Sequence, residues 1–148
     1  MKHTAFLLIT AIIINGCELV VLQNGSRKPV QHVELSQTNA IGTVMIFKML
    51  LDSCDYANAA FLVAGRNGVR LPAVERFELA EEMARVGRII GNSPITATKT
   101  DTVSQTVFVV TAELDMVRYA SFELRKHEDK WFITSYRFSG PRPRYVVN

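Results

Sequence analysis

The residue with the clearest chemistry in this chain is Cys17, because of what precedes it. Lys2 gives a basic start, residues 4–14 form an almost unbroken apolar run, and Gly16 is small. The run is about half of the roughly 20 residues that a membrane-spanning helix needs, and its length is typical of a signal-peptide core. Signal peptidases cleave after small residues. The pattern therefore predicts export, with cleavage before Cys17 that leaves this residue at the new N-terminus.

Residues 14–17, Ile-Asn-Gly-Cys, resemble a bacterial lipobox. That pattern has an aliphatic residue, a small residue, Gly or Ala, and then the acceptor cysteine; Asn15 departs from it at the second position. The resemblance implies that Cys17 carries a diacylglyceryl group and a further acyl chain on its amine. Two or more chains anchor a protein stably, so we expect a cell-envelope protein attached to a membrane by its N-terminal lipid. Glu18 after the cysteine, rather than Asp, favours the outer membrane.

Two other interpretations of this segment remain open. An ordinary secretory signal could place Cys17 near a cleavage site by chance. The apolar segment could also continue to Leu22 as an uncleaved anchor, since Glu18 is then the only charge before Arg27. Both alternatives still predict an exported chain.

Composition bounds the rest of the chain. Its 148 residues carry a formal charge of +3 with no basic block, so nucleic-acid binding is not indicated. If Cys17 is acylated, Cys54 has no disulfide partner and is predicted to be a small buried hydrophobic residue. The predicted organisation is a signal peptide, a lipid-anchored tether, one domain and a C-terminal tail, at residues 1–16, 17–37, 38–140 and 141–148.

Apolar periodicity predicts three helices in the first half of the domain. The first ends near Asp52, Asp55 caps a short second helix to Val63, and Pro72 begins a third that runs to about Ile90. Glu82 falls on the charged side of the third helix, which is predicted to face solvent. The apolar face of that helix comprises Phe77, Leu79, Ala80, Met83, Ala84, Val86 and Ile90.

From Pro94 the apolar period changes to two, which predicts an antiparallel meander of four strands. The predicted ranges are 95–101, 105–114, 118–126 and 130–138. On the third strand, Ser121, Glu123 and Arg125 face away from the apolar side. The fourth strand is apolar on both sides, which predicts that both of its faces are covered. Its two apolar sets are Trp131 and Ile133 against Phe132, Tyr136 and Phe138.

The order of these elements and two local motifs resemble the nuclear-transport-factor-2-like superfamily, and especially the small lipoproteins of unknown function within it. The matching residues are Asp55 to Ala59, Phe122 to Lys126, and Lys130, Trp131 and Ile133. The resemblance covers about residues 38–138. It implies an α+β fold with three N-terminal helices packed on a curved antiparallel sheet of about four strands, around a cone-shaped cavity. This fold hosts many functions, so the resemblance does not indicate one.

The resemblance makes inward-facing sheet positions the candidate cavity lining. These are Phe108, Val110, Phe122, Leu124 and Tyr136, of which only Tyr136 is polar. The histidines at positions 3, 32 and 127 do not have metal-ligand spacing, and no phosphate-binding loop or nucleophile elbow occurs. We therefore predict no cofactor, no metal site and no catalytic residue.

The leading hypothesis is a non-catalytic binding or scaffolding module that holds a protein partner or a small apolar ligand. A rival hypothesis is a small isomerase-like or hydrolase-like enzyme that uses Tyr136 with Asp101 or Asp115. That rival requires a carboxylate within hydrogen-bond reach of Tyr136 in an enclosed cavity. A third hypothesis is a periplasmic component of a secretion or conjugation machine.

Overall fold

The structure, a computed structural model, describes residues 33–140. Three helices are followed by a four-stranded antiparallel sheet with strand order β1-β2-β3-β4, so the predicted α+β class and meander are confirmed. The helices are α1 (Ala40–Asp52), α2 (Tyr56–Phe61) and α3 (Ala73–Ile90). The strands are β1 (Ile95–Ser104), β2 (Val107–Leu114), β3 (Arg118–His127) and β4 (Lys130–Ser139). The predicted signal peptide, Cys17, most of the predicted tether and the predicted tail lie outside the described residues.

Each helix begins at a local signal in the sequence. The side chain of Asn39 caps α1 by accepting a hydrogen bond from the backbone N–H of Ile41 at 2.9 Å. The side chain of Asp55 caps α2 by accepting one from the backbone N–H of Asn58 at 3.3 Å, as predicted. Helix α3 begins directly after Pro72. These caps satisfy backbone donors that the first turn of a helix leaves unpaired.

The chain that follows α2 runs along the outer edge of β4. Val63 forms a parallel bridge with Ile133. The N–H of Ile133 donates to the carbonyl of Leu62, and its carbonyl accepts from the N–H of Ala64, both at 2.9 Å. Because residues 62–64 pair with β4, α2 ends two residues earlier than predicted.

The residues just before α1 also contact the domain, although the sequence assigned them to the tether. The carbonyl of Gln37 accepts a hydrogen bond from the N–H of Trp131 at 2.8 Å, and its Nε2 donates to the carbonyl of Trp131 at 3.1 Å. A Cβ added at Gly42 of α1 would lie 2.4 Å from the carbonyl oxygen of Glu34 and 2.5 Å from that of Ser36. This segment therefore crosses α1 at a position that only glycine leaves open.

The buried apolar residues form one cluster that includes residues of all three helices and of the strands. In this cluster, Phe47 of α1 contacts Phe122 of β3 edge to face, with ring centroids 5.9 Å apart. Met83, Val86 and Ile90 of α3 are buried, as the predicted apolar face requires. The cluster is the core that holds the sheet in register.

Two burial predictions are wrong. Phe77 is 81% exposed, because α2 is only six residues long and leaves this part of α3 uncovered. Cys54 is exposed rather than buried, because it lies in the turn between α1 and α2 with a φ of 59°. The exposure of both residues depends on how the helices are connected, and the periodicity within one helix does not predict it.

A β-bulge at Thr134 determines which side chains of β4 share a face. Glu123 pairs with Ser135, but its neighbour Leu124 pairs with Ile133, so Thr134 is an extra residue in β4. The bulge reverses the alternation that a regular strand would continue. The prediction that β4 is apolar on both faces is therefore correct for Phe132, which is 2% exposed, and wrong for Tyr136 and Phe138. The residues on the inner face, which is the face toward the core, are Trp131, Ile133, Tyr136 and Phe138, while Phe132 lies on the outer face.

Candidate functional site

The five predicted cavity-lining residues lie together on the inner face of the sheet. Val110 pairs with Phe122, Phe122 pairs with Tyr136, and Phe108 pairs with Leu124. Val110, Phe122 and Leu124 are at most 1% exposed, and the other two are half-buried against the same core. Among the described residues, none of these five lines the three cavities described below. Their side chains take part in core packing.

Tyr136 is the polar group at the margin of this inner face. Its hydroxyl donates a hydrogen bond to Oε1 of Glu82 in α3. Burial, and then the neighbouring carboxylate, raise the pKa of Tyr136 well above its ordinary value of about 10, so the hydroxyl is a neutral donor at physiological pH. Glu82 is exposed, as its position on α3 predicts. The pair therefore meets solvent at the surface.

Neither aspartate that the enzyme hypothesis assigned to Tyr136 contacts it among residues 33–140. Asp101 forms an exposed ion pair, at 2.9 Å, with the lysine two residues before it. Asp115 accepts a hydrogen bond from Arg118 at 2.6 Å, and this contact holds the pKa of Asp115 below its ordinary range. Both carboxylates belong to surface ion pairs on β1 and after β2.

The outer face of the sheet holds a groove lined by three arginines, which we call the arginine groove. It is a cavity of about 340 Å³. A second cavity of about 220 Å³ adjoins it and adds Val109 and Ser121 to the lining. The residues that line the arginine groove are Arg66, Glu123, Arg125, Thr134, Ser135 and Arg137.

The bulge at Thr134 places two of these residues. Beyond the bulge, Ser135 lies opposite Glu123 and Arg137 lies opposite Ser121 on the outer face. The hydroxyl of Thr134 donates to the carbonyl of Glu123 at 3.3 Å, which ties the extra residue to β3. A regular strand that continued the alternation of Trp131 and Ile133 would turn these side chains to the opposite face.

A glycine turn places Arg66 at the other side of the groove. The N–H of Gly68 donates to the carbonyl of Gly65 at 2.8 Å, and Gly68 has a φ of +81°. A Cβ added at Gly68 would lie 3.2 Å from Cβ of Arg125. The turn therefore lies directly against β3, and glycine is needed there both for the backbone angle and for the close approach.

The arginine groove carries more positive than negative charge. Three guanidiniums and one carboxylate give a formal charge of +2. Nη2 of Arg125 lies 3.3 Å from Oε1 of Glu123, whereas its Nε is buried without a hydrogen-bond partner. The side chains of Arg66 and Arg137 make no hydrogen bond or ion pair with any described residue. The guanidiniums of Arg66 and Arg137 are thus available to a ligand.

Sequence reasoning found only part of this site. Alternation along β3 placed Ser121, Glu123 and Arg125 on the face away from the core, and the structure confirms that placement. It did not find Arg66 or Arg137. Gly65 and Gly68, on either side of Arg66, are typical of a turn, but this signal does not show which surface the turn contacts.

A smaller apolar groove lies between α2 and α3. Its volume is about 230 Å³, and the guanidinium of Arg76 lies 4.4 Å from the ring centroid of Phe61 at its wall. The exposed ring of Phe77 is part of the same surface. The described residues do not show what covers this groove, so it supports no assignment.

Comparisons with protein families and known proteins add no relative. No protein-family model matches the chain, and no curated protein matches it. Within residues 33–140, no group of three or more His, Cys, Asp or Glu side chains could hold a metal ion. No helix in that range is long and apolar enough to cross a membrane. The function must therefore be inferred from the chain's own residues and their geometry.

Proposed function

We propose that this is a lipid-anchored cell-envelope protein whose domain binds a ligand or partner and does not catalyse a reaction. The observation that carries the binding role is the arginine groove, a concave surface with unneutralised charge. Guanidiniums stay protonated in proteins and cannot act as general bases. The carboxylate in the groove, Glu123, is already paired with Arg125. These groups favour holding an anion over proton transfer.

The anchor rests on residues 1–17 and is tested with the two cysteines of the chain. We expect a bacterial host fed an alkyne-tagged palmitate analogue to label the full chain at Cys17. Cys17→Ser should abolish the label and release the protein from membranes. Cys54→Ser is the matched control, because it removes the other, exposed thiol and should leave labelling unchanged. A label that survives Cys17→Ser would refute the anchor.

The binding role is tested by ligand-detected NMR of a mixed fragment set against the full chain. Fragments that bind the wild-type chain and lose binding in Arg137→Gln would support a site in the arginine groove. Arg137 is exposed and has no partner among the described residues, so this change should not affect folding. A set in which nothing binds, or in which every fragment binds both chains equally, would contradict the proposal.

We also propose that the domain has the cone-shaped, nuclear-transport-factor-2-like architecture. Three helices precede a four-stranded meander, and irregular pairing occurs at both ends of β1 and at Thr134. Such bulges bend strands, which supports a curved sheet. An experimental structure of the full chain would test this. A flat sheet, or helices that do not pack on its inner face, would contradict it.

One observation favours a second candidate function, a small enzyme. The hydrogen bond between Tyr136 and Glu82 joins a neutral hydroxyl to a carboxylate, as in an acid–base pair. Hydrolysis of an activated aryl ester by the full chain tests this candidate. Activity that is lost in Glu82→Gln but kept in Glu81→Gln, one position away on α3, would favour the enzyme. Equal rates in all three chains would leave the binding role preferred.

A further inference from the structure

The arginine groove carries charge that the described residues do not neutralise. One carboxylate offsets one of three guanidiniums, and Arg66 and Arg137 have no partner in this part of the chain. Guanidiniums that line one cavity repel each other, and an anion between them would replace that repulsion with attraction. The groove is therefore suited to an anionic ligand.

The amount of charge favours a dianion. A phosphomonoester carries about −1.5 to −2 at neutral pH on three acceptor oxygens, which matches the formal +2 of the groove. Guanidinium forks bind phosphoryl oxygens in bidentate fashion. A single carboxylate would leave one guanidinium unneutralised.

The polar groups of the adjoining cavity fit the same ligand. Ser121 and Ser135 line it. The hydroxyl of Ser135 can donate to a phosphoryl oxygen, whereas that of Ser121 is hydrogen-bonded to the hydroxyl of Thr111 at 3.2 Å. Glu123 opposes any anion, but its ion pair with Arg125 offsets this repulsion. With volumes of about 340 and 220 Å³, the two cavities suit a phosphoryl group with a small substituent.

We infer that the arginine groove binds a phosphomonoester, with Arg66 and Arg137 as its principal contacts. The inference rests on the proposed binding role and specifies the class of ligand. A soluble phosphomonoester and the headgroup of phosphatidic acid present the same chemical group. The groove recognises that group in either source.

The test is calorimetric titration of the full chain, purified in a non-ionic detergent at low ionic strength, with phenyl phosphate. Arg66→Gln and Arg137→Gln should each weaken binding about tenfold, equivalent to about 1.4 kcal/mol. Arg85→Gln removes an exposed arginine from α3, outside the groove, and should change affinity less than about twofold. Thermal unfolding of each variant checks that the fold is retained.

Glu123→Gln should change the affinity for phenyl phosphate in the opposite direction. It removes a like charge from the groove, so phenyl phosphate should bind more tightly. Weaker binding would overturn the inference, because it would mean that the ligand uses the carboxylate. Added salt should weaken binding to the wild-type chain, since the guanidiniums of Arg66 and Arg137 are exposed.

Two further titrations identify the source and separate this inference from the proposed function. If mixed micelles with phosphatidic acid displace phenyl phosphate, and micelles with phosphatidylcholine do not, the ligand is a lipid headgroup. If phosphatidic acid does not displace it, the ligand is soluble. Both outcomes support the inference. Succinate that binds in the groove where phenyl phosphate does not would overturn the inference and leave the binding role standing. If neither anion binds, both the inference and the groove's binding role fail.

Discussion

Replacing Gly42 with alanine tests whether the segment before α1 belongs to the folded domain. The added Cβ would lie 2.4 Å from the carbonyl oxygen of Glu34 and 2.5 Å from that of Ser36. Both are backbone atoms, so no side-chain rotation relieves the contact. The segment must move away from α1, and the hydrogen bonds between Gln37 and Trp131 must then weaken or break.

Two opposing terms set the magnitude. Alanine favours a helix interior over glycine by about 1 kcal/mol. If the segment stays in place, overpacking costs about 1–3 kcal/mol, and a contact of 2.4 Å places the cost near the upper end of this range. If the segment is released, the chain loses two hydrogen bonds of about 1 kcal/mol each and the contacts around them. We therefore expect Gly42→Ala to lower the free energy of unfolding by about 1–2 kcal/mol.

Urea unfolding of the full chain, followed by the fluorescence of Trp131, measures this change. Trp131 is the only tryptophan in the chain and hydrogen-bonds to Gln37. Gly140→Ala is the control, because a Cβ added at Gly140 meets no atom within 4 Å. Gln37→Ala should destabilise the wild-type chain but cost little more in the Gly42→Ala background, where its contact is already lost.

Two results would refute this reasoning. One is a Gly42→Ala chain at least as stable as wild type, since helix propensity would then outweigh the contact. The other is an equal cost of Gln37→Ala in both backgrounds, since the segment would then still be docked. The first result would return residues 34–37 to the tether, and the second would show that the segment stays docked although a Cβ is added at Gly42.

Three other changes test the site and its surroundings. Because the pKa of Tyr136 is raised on folding, its contribution to stability is present below about pH 10 and lost as the pH rises toward the folded pKa. Tyr136→Phe should therefore flatten the alkaline fall in unfolding free energy, and an unchanged slope would contradict the pairing. Arg118→Gln should return the pKa of Asp115 toward its ordinary value in an NMR titration. Because the pKa of Asp115 is lowered in the folded state, the stabilisation that the pair provides is present above about pH 4 and is lost as the pH falls through the folded pKa. If the pKa of Asp115 does not change in Arg118→Gln, the contact is contradicted. Gly68→Ala should lower stability by about 1 kcal/mol or more, because of its positive φ, in thermal unfolding. A loss no larger than that of Gly140→Ala would mean that the turn tolerates a side chain.

Local chemistry was enough to predict most elements of the fold. The Asp55 cap, the start of α3 after Pro72 and the four strands of the meander all depend on residues within a turn or a hairpin of one another. Where the prediction of length failed, pairing with another element was the reason. β1 runs three residues further than predicted, to Ser104, because it pairs with β2 over that length.

In the candidate site, too, local sequence patterns predict some residues and contacts between distant segments determine the others. Alternation placed Ser121, Glu123 and Arg125 on one face, because neighbouring side chains of a strand point to opposite sides. The partners of Tyr136 could not be predicted in this way. Its hydrogen-bond acceptor, Glu82, lies 54 residues earlier, on a helix face that the sequence alone assigned to solvent.

The sequence by itself determined the order of helices and strands, the polar face of β3 and the cysteine motif from which the anchor is predicted. Only the tertiary structure decided that Arg66 and Arg137 share one groove with Arg125. Arg137 reaches the groove through a one-residue bulge in β4, and Arg66 through a turn that lies against β3. Both depend on backbone pairing and close approach between distant segments, and a one-residue change in register moves a side chain to the opposite face.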